Sequence, residues 1–196
     1  MVVSSNREHL ERCADAILIR GEVEVIKHEA ATCTCTAERM GDHCVETYRK
    51  KIRNVFTSAG KTTIARRLVA DETTAMSATG ATASRAGIAN VIAVGTGDGT
   101  PAVSDVAMFT ETLRLTVSAA PTGSSFSGNV ATIKVFFNSS QANVPMTEAG
   151  LFGDITTAAA PGVVGSSPGT MYAHTGLSVT KSSGETMTIL WTITVG

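Results

Sequence analysis

Apolar and polar side chains alternate along much of this chain with a period of two, the spacing of a half-buried β-strand. The pattern is clearest at the end, where Met187, Ile189, Trp191, Ile193 and Val195 share one face. Thr186, Thr188, Thr192 and Thr194 fall on the other, with Leu190 interrupting the polar side. Near the start, Val23 and Val25 alternate with Glu22 and Glu24. In VETYRKKIRNVF, Tyr48, Ile52 and Phe56 have one parity, which predicts a second strand pairing with the first across residues 30–44. Further strands are predicted at IANVIAVG, TETLRLTVSA, NVATIKVFFN, VPMTEAGLFG and GTMYAHTGLSV. Clusters such as APTGSSFSGN and APGVVGSSPGT separate them, the turn chemistry that joins antiparallel strands.

One segment changes period. In FTSAGKTTIARRLVA, Ile64 with Leu68 and Ala65 with Val69 stand four apart, predicting a short amphipathic helix with Ser58 as its N-cap and Arg66 and Arg67 facing solvent. The same stretch resembles a phosphate-binding loop, but the glycine that such a loop needs five residues before its GK pair is Val55 here. A β-branched residue does not take the left-handed angles of the cradle, so no nucleotide site is expected.

The predicted fold is therefore mainly β: an antiparallel β-sandwich with an N-terminal β-hairpin and one short α-helix. Residues 1–70 form the hairpin-plus-helix region with a cysteine-bearing loop, 71–87 a loop or linker, and 88–196 the sandwich. Composition supports the division. All 5 prolines lie beyond residue 70, and 12 of the 16 Lys and Arg lie before it. A formal net charge of −1 argues against nucleic acid as a partner. No apolar run approaches the roughly 20 residues of a membrane span, and MVVSSNREHLERCADAIL carries charge where a signal peptide is apolar. A soluble chain made in a cytoplasm, with no membrane partner, is expected. With few aromatics, a sandwich of this size is expected to complete itself by association with its own copies.

The motifs that suggest chemistry lack its context. GTGDGT has Gly95, Gly97 and Gly99 but Thr100 where a dinucleotide loop wants its third glycine, and reads as a turn. GSSPG matches a nucleophile elbow at Ser167 without the helix that must follow. His174 and Glu148 are an acid–base pair in principle, yet each sits alone in a strand pattern, where a hydrogen-bonded or solvated side chain is the expectation. The run Arg49, Lys50, Lys51, Arg53 reads as a solvated strand face. Asn138 opens an NSS glycosylation acceptor. No catalytic residue, cofactor or nucleotide-binding residue is expected.

The cysteines form the one distinctive set. Cys13, Cys33, Cys35 and Cys44 all fall within the first 44 residues, close to His28 and His43. An even count in one polar loop fits disulfides best. Cys33 and Cys35 are too close to bridge each other comfortably, so the bonds are expected to reach Cys13, Cys44 or another subunit, after the protein leaves a reducing cytoplasm. Zinc held by Cys33, Cys35, His43 and Cys44 is the weaker alternative, because structural sites space paired cysteines by two to four residues. Free thiols are the third reading.

From about residue 18 onward the chain resembles a family of tailed-bacteriophage virion proteins of tail-fibre, collar or neck type. The resemblance rests on the order of its pieces: GEVEVIKHE, NVFTSAGKTTIARRLVA, IANVIAVGTGDGTPAVSDVAM, TEAGLF, GTMYAHT and GETMTILWTITV. It implies a non-enzymatic, symmetric, β-rich building block of a virion, a homotrimer or higher symmetric oligomer that docks on other phage neck or tail proteins. A capsid-decorating or receptor- or carbohydrate-binding β-module is the alternative. The cysteine loop and the first 17 residues depart from the family pattern.

Overall fold

The computed structural model describes residues 19–30, 45–68, 89–117, 123–153 and 169–195. The described residues are mainly β, built as two five-stranded antiparallel sheets with one short helix. The strands are β1 (Ile19–Glu29), β2 (Glu46–Arg53), β3 (Val55–Phe56), β4 (Ala89–Gly95), β5 (Glu111–Thr116), β6 (Ser124–Ser127), β7 (Val130–Phe137), β8 (Pro145–Gly153), β9 (Thr170–Thr180) and β10 (Glu185–Val195). The helix, α1, spans Ser58–Leu68. The first sheet runs β2-β1-β10-β7-β6 and the second β3-β9-β8-β4-β5.

The core lies where the inward parities meet. Val23 of β1 stands opposite Trp191, and Trp191 opposite Ile133 of β7. All three pack with Ile92 and Val94 of β4 and Leu151 of β8 from the other sheet. Trp191, Met187 and Ile189 have no exposed surface, so the alternation read at the end of the chain sets the floor of the core. β4 is buried on both parities. Ile92 and Val94 join the main core, whereas Val91 and Ala93 join a second cluster with Met108, Phe152 and Met171. The second sheet is thus covered on both faces, which makes β4 a nearly continuous apolar run.

Four expectations are corrected. The hairpin is integral to the sandwich: β1 pairs with β10 along its whole length, from Ile19 opposite Val195 to Glu29 opposite Glu185. The strand expected from Val45 to Phe56 breaks at Asn54, because the chain changes sheets there; Phe56 pairs with Ala173 of β9 and enters the core. The N-cap is Thr57, whose hydroxyl accepts the Gly60 N–H at 3.0 Å. Finally, Ser124–Ser127 lies inside a segment read as turn, yet pairs with β7 as an edge strand. The linker at 71–87 lies outside the described residues.

The charged faces are paired locally. Lys51 contacts Glu22 at 3.2 Å, and Arg49 contacts Glu24 at 2.8 Å and Glu46 at 2.6 Å. At the turn between β9 and β10, burial pushes the Glu185 carboxyl up. The Lys27 ammonium at 2.8 Å and the Ser182 N–H and hydroxyl outweigh that effect and hold it below the ordinary carboxylate range. A carboxyl so depressed stabilises the fold above its unfolded pKa of about 4.3, and this contribution is lost as pH falls through the folded value. Replacing Glu185 by Gln is therefore expected to flatten the acid limb of a stability-against-pH curve below about pH 5. An unchanged limb would refute the assignment.

Candidate functional site

The most concentrated buried chemistry lies on the face of the second sheet that turns away from the main core. Ala149 and Leu151 of β8 point into that core, so Glu148, Gly150 and Phe152 alternate to the opposite side. His174 of β9 stands across the ladder from Gly150. Over this surface runs the connection from β4 to β5, residues 96–110. Its ends close on each other through the Thr96 N–H and the Thr110 carbonyl at 2.9 Å, the geometry of an Ω-loop.

Glu148 organises this loop. Its carboxylate accepts the backbone N–H groups of Gly97 at 3.1 Å, Phe109 at 2.9 Å and Thr110 at 2.6 Å. These donors come from both ends of the loop, so one side chain ties its entrance to its exit. The other contact is His174, whose Nε2 stands 3.0 Å from Glu148 Oε2. On the far side of the ring, Nδ1 stands 2.6 Å from Asp105 Oδ2. The same Asp105 oxygen accepts the Ala102 N–H at 2.8 Å. A neutral imidazole donates through one nitrogen only, whereas a ring carrying both protons donates to both carboxylates.

Packing completes the assembly. Phe109 lies over His174 with ring centroids 5.0 Å apart. Met108 packs beneath it with Phe152 and Met171. The Thr147 hydroxyl donates to the Gly97 carbonyl at 2.6 Å, and the Ser58 N–H at the start of α1 donates to the Val103 carbonyl at 2.7 Å. A Cβ on Gly97 would fall 2.6 Å from Glu148 Oε1 and 2.4 Å from Phe109 Cβ. In GTGDGT, Gly95 and Gly97 thus leave room for the Glu148 carboxylate pressed against the backbone, and Gly99 for the Phe109 ring.

His174 and Glu148 have no exposed surface. Both ring nitrogens face carboxylates, and the Glu148 oxygens are saturated by donors. The arrangement is built to fasten: it holds residues 96–110 rigidly from below while Val103, Val106 and Phe109 project outward, at 51%, 70% and 44% exposure. His174 and Glu148, read from the sequence as separate hydrogen-bonded side chains, are brought together. Asp105 was not singled out by that reading. The signal for it was present, since PAVSD, TEAGLF and GTMYAHT carry one member each.

The other expected residues divide. Arg49 and Lys51 lie on the edge strand β2 and are ion-paired. Asn138 closes a local turn, its Oδ1 accepting from the Ser140 N–H at 2.9 Å and hydroxyl at 2.7 Å. Cys13, Cys33, Cys35, His43, Cys44 and Ser167 lie outside the described residues. Among the described residues, no cluster of three or more His, Cys, Asp or Glu is arranged to hold a metal, and no helix is long and apolar enough to cross a membrane. Comparison of the chain with protein-family models, curated proteins and solved structures found no match.

Proposed function

We propose that this chain is a non-enzymatic structural component of a tailed-phage virion, of neck, collar or tail-fibre type. It is made in the bacterial cytoplasm and acts by symmetric self-assembly and by docking to other virion proteins. The observation that carries the reading is Phe126, an aromatic side chain 85% exposed on the edge strand β6. Unprotected edges invite pairing with another chain, and proteins that stay monomeric guard them with charge, proline or extreme shortness. β2 has its ion pairs and β3 is two residues long. β6, with the sequence SSFS, carries no charge and no proline. An apolar side chain on such an edge is suited to burial against a sister protomer. The locked loop with Val103, Val106 and Phe109 supplies a second, rigid apolar tip of the kind that docks on a different protein.

The test is the mass of the purified chain in solution by light scattering. A symmetric multiple of 20.3 kDa, with a trimer as the leading expectation, is the supporting result. Phe126→Asp is expected to shift that species to the monomer while leaving Trp191 fluorescence unchanged. A wild-type monomer at micromolar concentration would sink the assembly reading. Non-reducing electrophoresis of the same assemblies reads the proposed cysteine crosslinks directly.

A further inference from the structure

At the end of the first sheet, where β1, β2 and β10 meet, the surface opens into a cleft of about 570 Å³ lined by Arg20, Glu22, Arg53, Asn54, Thr192 and Thr194, among others. That volume lies within the roughly 300–1,000 Å³ of small-ligand sites. The register explains why these side chains converge. Arg20 stands opposite Thr194, while Glu22 lies opposite Thr192 on one side and Arg53 on the other. Arg20 and Arg53 are therefore diagonal neighbours on one face, with backbones about 7–8 Å apart.

Their charges are distinctive. Elsewhere on this face each cation of β2 that meets a carboxylate is matched: Lys51 with Glu22, and Arg49 with Glu24 and Glu46. The guanidinium groups of Arg20 and Arg53 have no acidic partner among the described residues, and the one carboxylate of the cleft, Glu22, is already held by Lys51. Next to them the Asn54 carboxamide lies against the bare Cα of Gly21, where an added Cβ would fall 1.9 Å from Asn54 Oδ1. Its oxygen and nitrogen are both buried without a hydrogen-bond partner among the described residues. Leaving such groups unsatisfied is costly, and a ligand that engages them recovers that cost. The Thr192 and Thr194 hydroxyls add donors and acceptors on the β10 side.

We propose that this cleft binds a small hydroxylated anion, a sugar acid or a sugar phosphate. The charged group is held between Arg20 and Arg53, whose planar forks match carboxylate and phosphate oxygens alike. The hydroxyls are read by Thr192, Thr194 and the Asn54 carboxamide, which turns outward from Gly21 on binding. The inference goes beyond the structural role proposed above and does not depend on it, because the cleft belongs to a single chain.

Calorimetric titration of the purified full chain with glucuronate, glucose 6-phosphate, glucose and inorganic phosphate tests it. Glucuronate, glucose 6-phosphate or both are expected to saturate one site per chain with a Kd of about a millimolar, in keeping with a small, solvent-exposed contact. Glucose is expected to give no saturable heat. Which of the two anions binds assigns carboxylate or phosphate as the preferred head group. Arg20→Gln with Arg53→Gln, at exposed positions, is expected to weaken binding at least tenfold without altering Trp191 fluorescence. Thr192→Val with Thr194→Val is expected to weaken the sugar anion. Failure of both anions to saturate, binding untouched by the arginine changes, or inorganic phosphate binding as tightly as glucose 6-phosphate would each overturn the proposal.

Discussion

Replacing Glu148 by Ala is expected to destabilise the fold by about 3–5 kcal/mol, the cost of removing one partner from a buried, charged hydrogen-bond set. In a chain of this size that lowers the melting temperature by roughly 10–15 °C. The reason is the number of groups orphaned at once. Three backbone N–H groups, of Gly97, Phe109 and Thr110, lose their acceptor, and His174 Nε2 loses the carboxylate 3.0 Å away. Gly97 and His174 are buried, so the Gly97 N–H and the imidazole have no water to turn to, whereas the Phe109 and Thr110 N–H groups lie nearer the surface. Glu148→Gln keeps one acceptor oxygen but sets an amide N–H₂ against backbone donors, so an intermediate loss is expected. The damage is directional: amides of residues 96–110 should exchange hydrogen faster while those of β1 and β10 stay protected. Denaturant unfolding followed by the single tryptophan, Trp191, measures the first effect, and residue-resolved exchange the second. A Glu148→Ala chain within 1 kcal/mol of wild type, by the same scale, would mean that the clamp does not hold the loop.

This contrast bears on what was legible in the sequence. The apolar pattern identified β1, β2, β4, β5, β7, β8, β9 and β10: strands such as β7 alternate because one parity faces the core, whereas β4, buried on both parities, reads as a nearly continuous apolar run. β6 escaped, since SSFS has one apolar residue and that residue points to solvent. Asn54 escaped as a break because Tyr48, Ile52 and Phe56 keep one parity straight through the point where the chain changes sheets. The clamp was the least legible part. Asp105, Glu148 and His174 are far apart in sequence, and the pairings that bring them together depend on a sheet register no local pattern encodes. Glu148 also looked like a solvated polar position, when its face of β8 is covered by the loop that it fastens. The order of the pieces PAVSD, TEAGLF and GTMYAHT carried the information, but as a pattern without a mechanism until the geometry supplied one.

Gly60→Ala sets two opposed effects against each other, and the steric one is expected to win. In a free helix the change stabilises by about 1 kcal/mol, because alanine loses less backbone freedom than glycine. Here the first turn of α1 lies directly on β9: an added Cβ would sit 2.4 Å from the Tyr172 carbonyl oxygen and 2.6 Å from its Cα. Both are backbone atoms of a strand hydrogen-bonded on either side, so they do not swing away as a side-chain tip would. The helix must retreat instead. In doing so it strains the Thr57 N–H bond to the Tyr172 carbonyl at 3.0 Å and the bond from the Thr57 hydroxyl to the Met171 carbonyl. It also pulls on the Ser58 N–H bond that anchors Val103 of the loop. Overpacking of this kind costs about 1–3 kcal/mol and the three disturbed bonds add about 1 kcal/mol each, so against the helix gain a net loss of about 3–5 kcal/mol is expected. Gly176→Ala is the matched control, because a Cβ there meets nothing nearer than the Thr147 carbonyl at 4.0 Å. If denaturant unfolding finds Gly60→Ala as stable as wild type, α1 is not seated on β9 in solution. Its role in anchoring the apolar loop then falls with it.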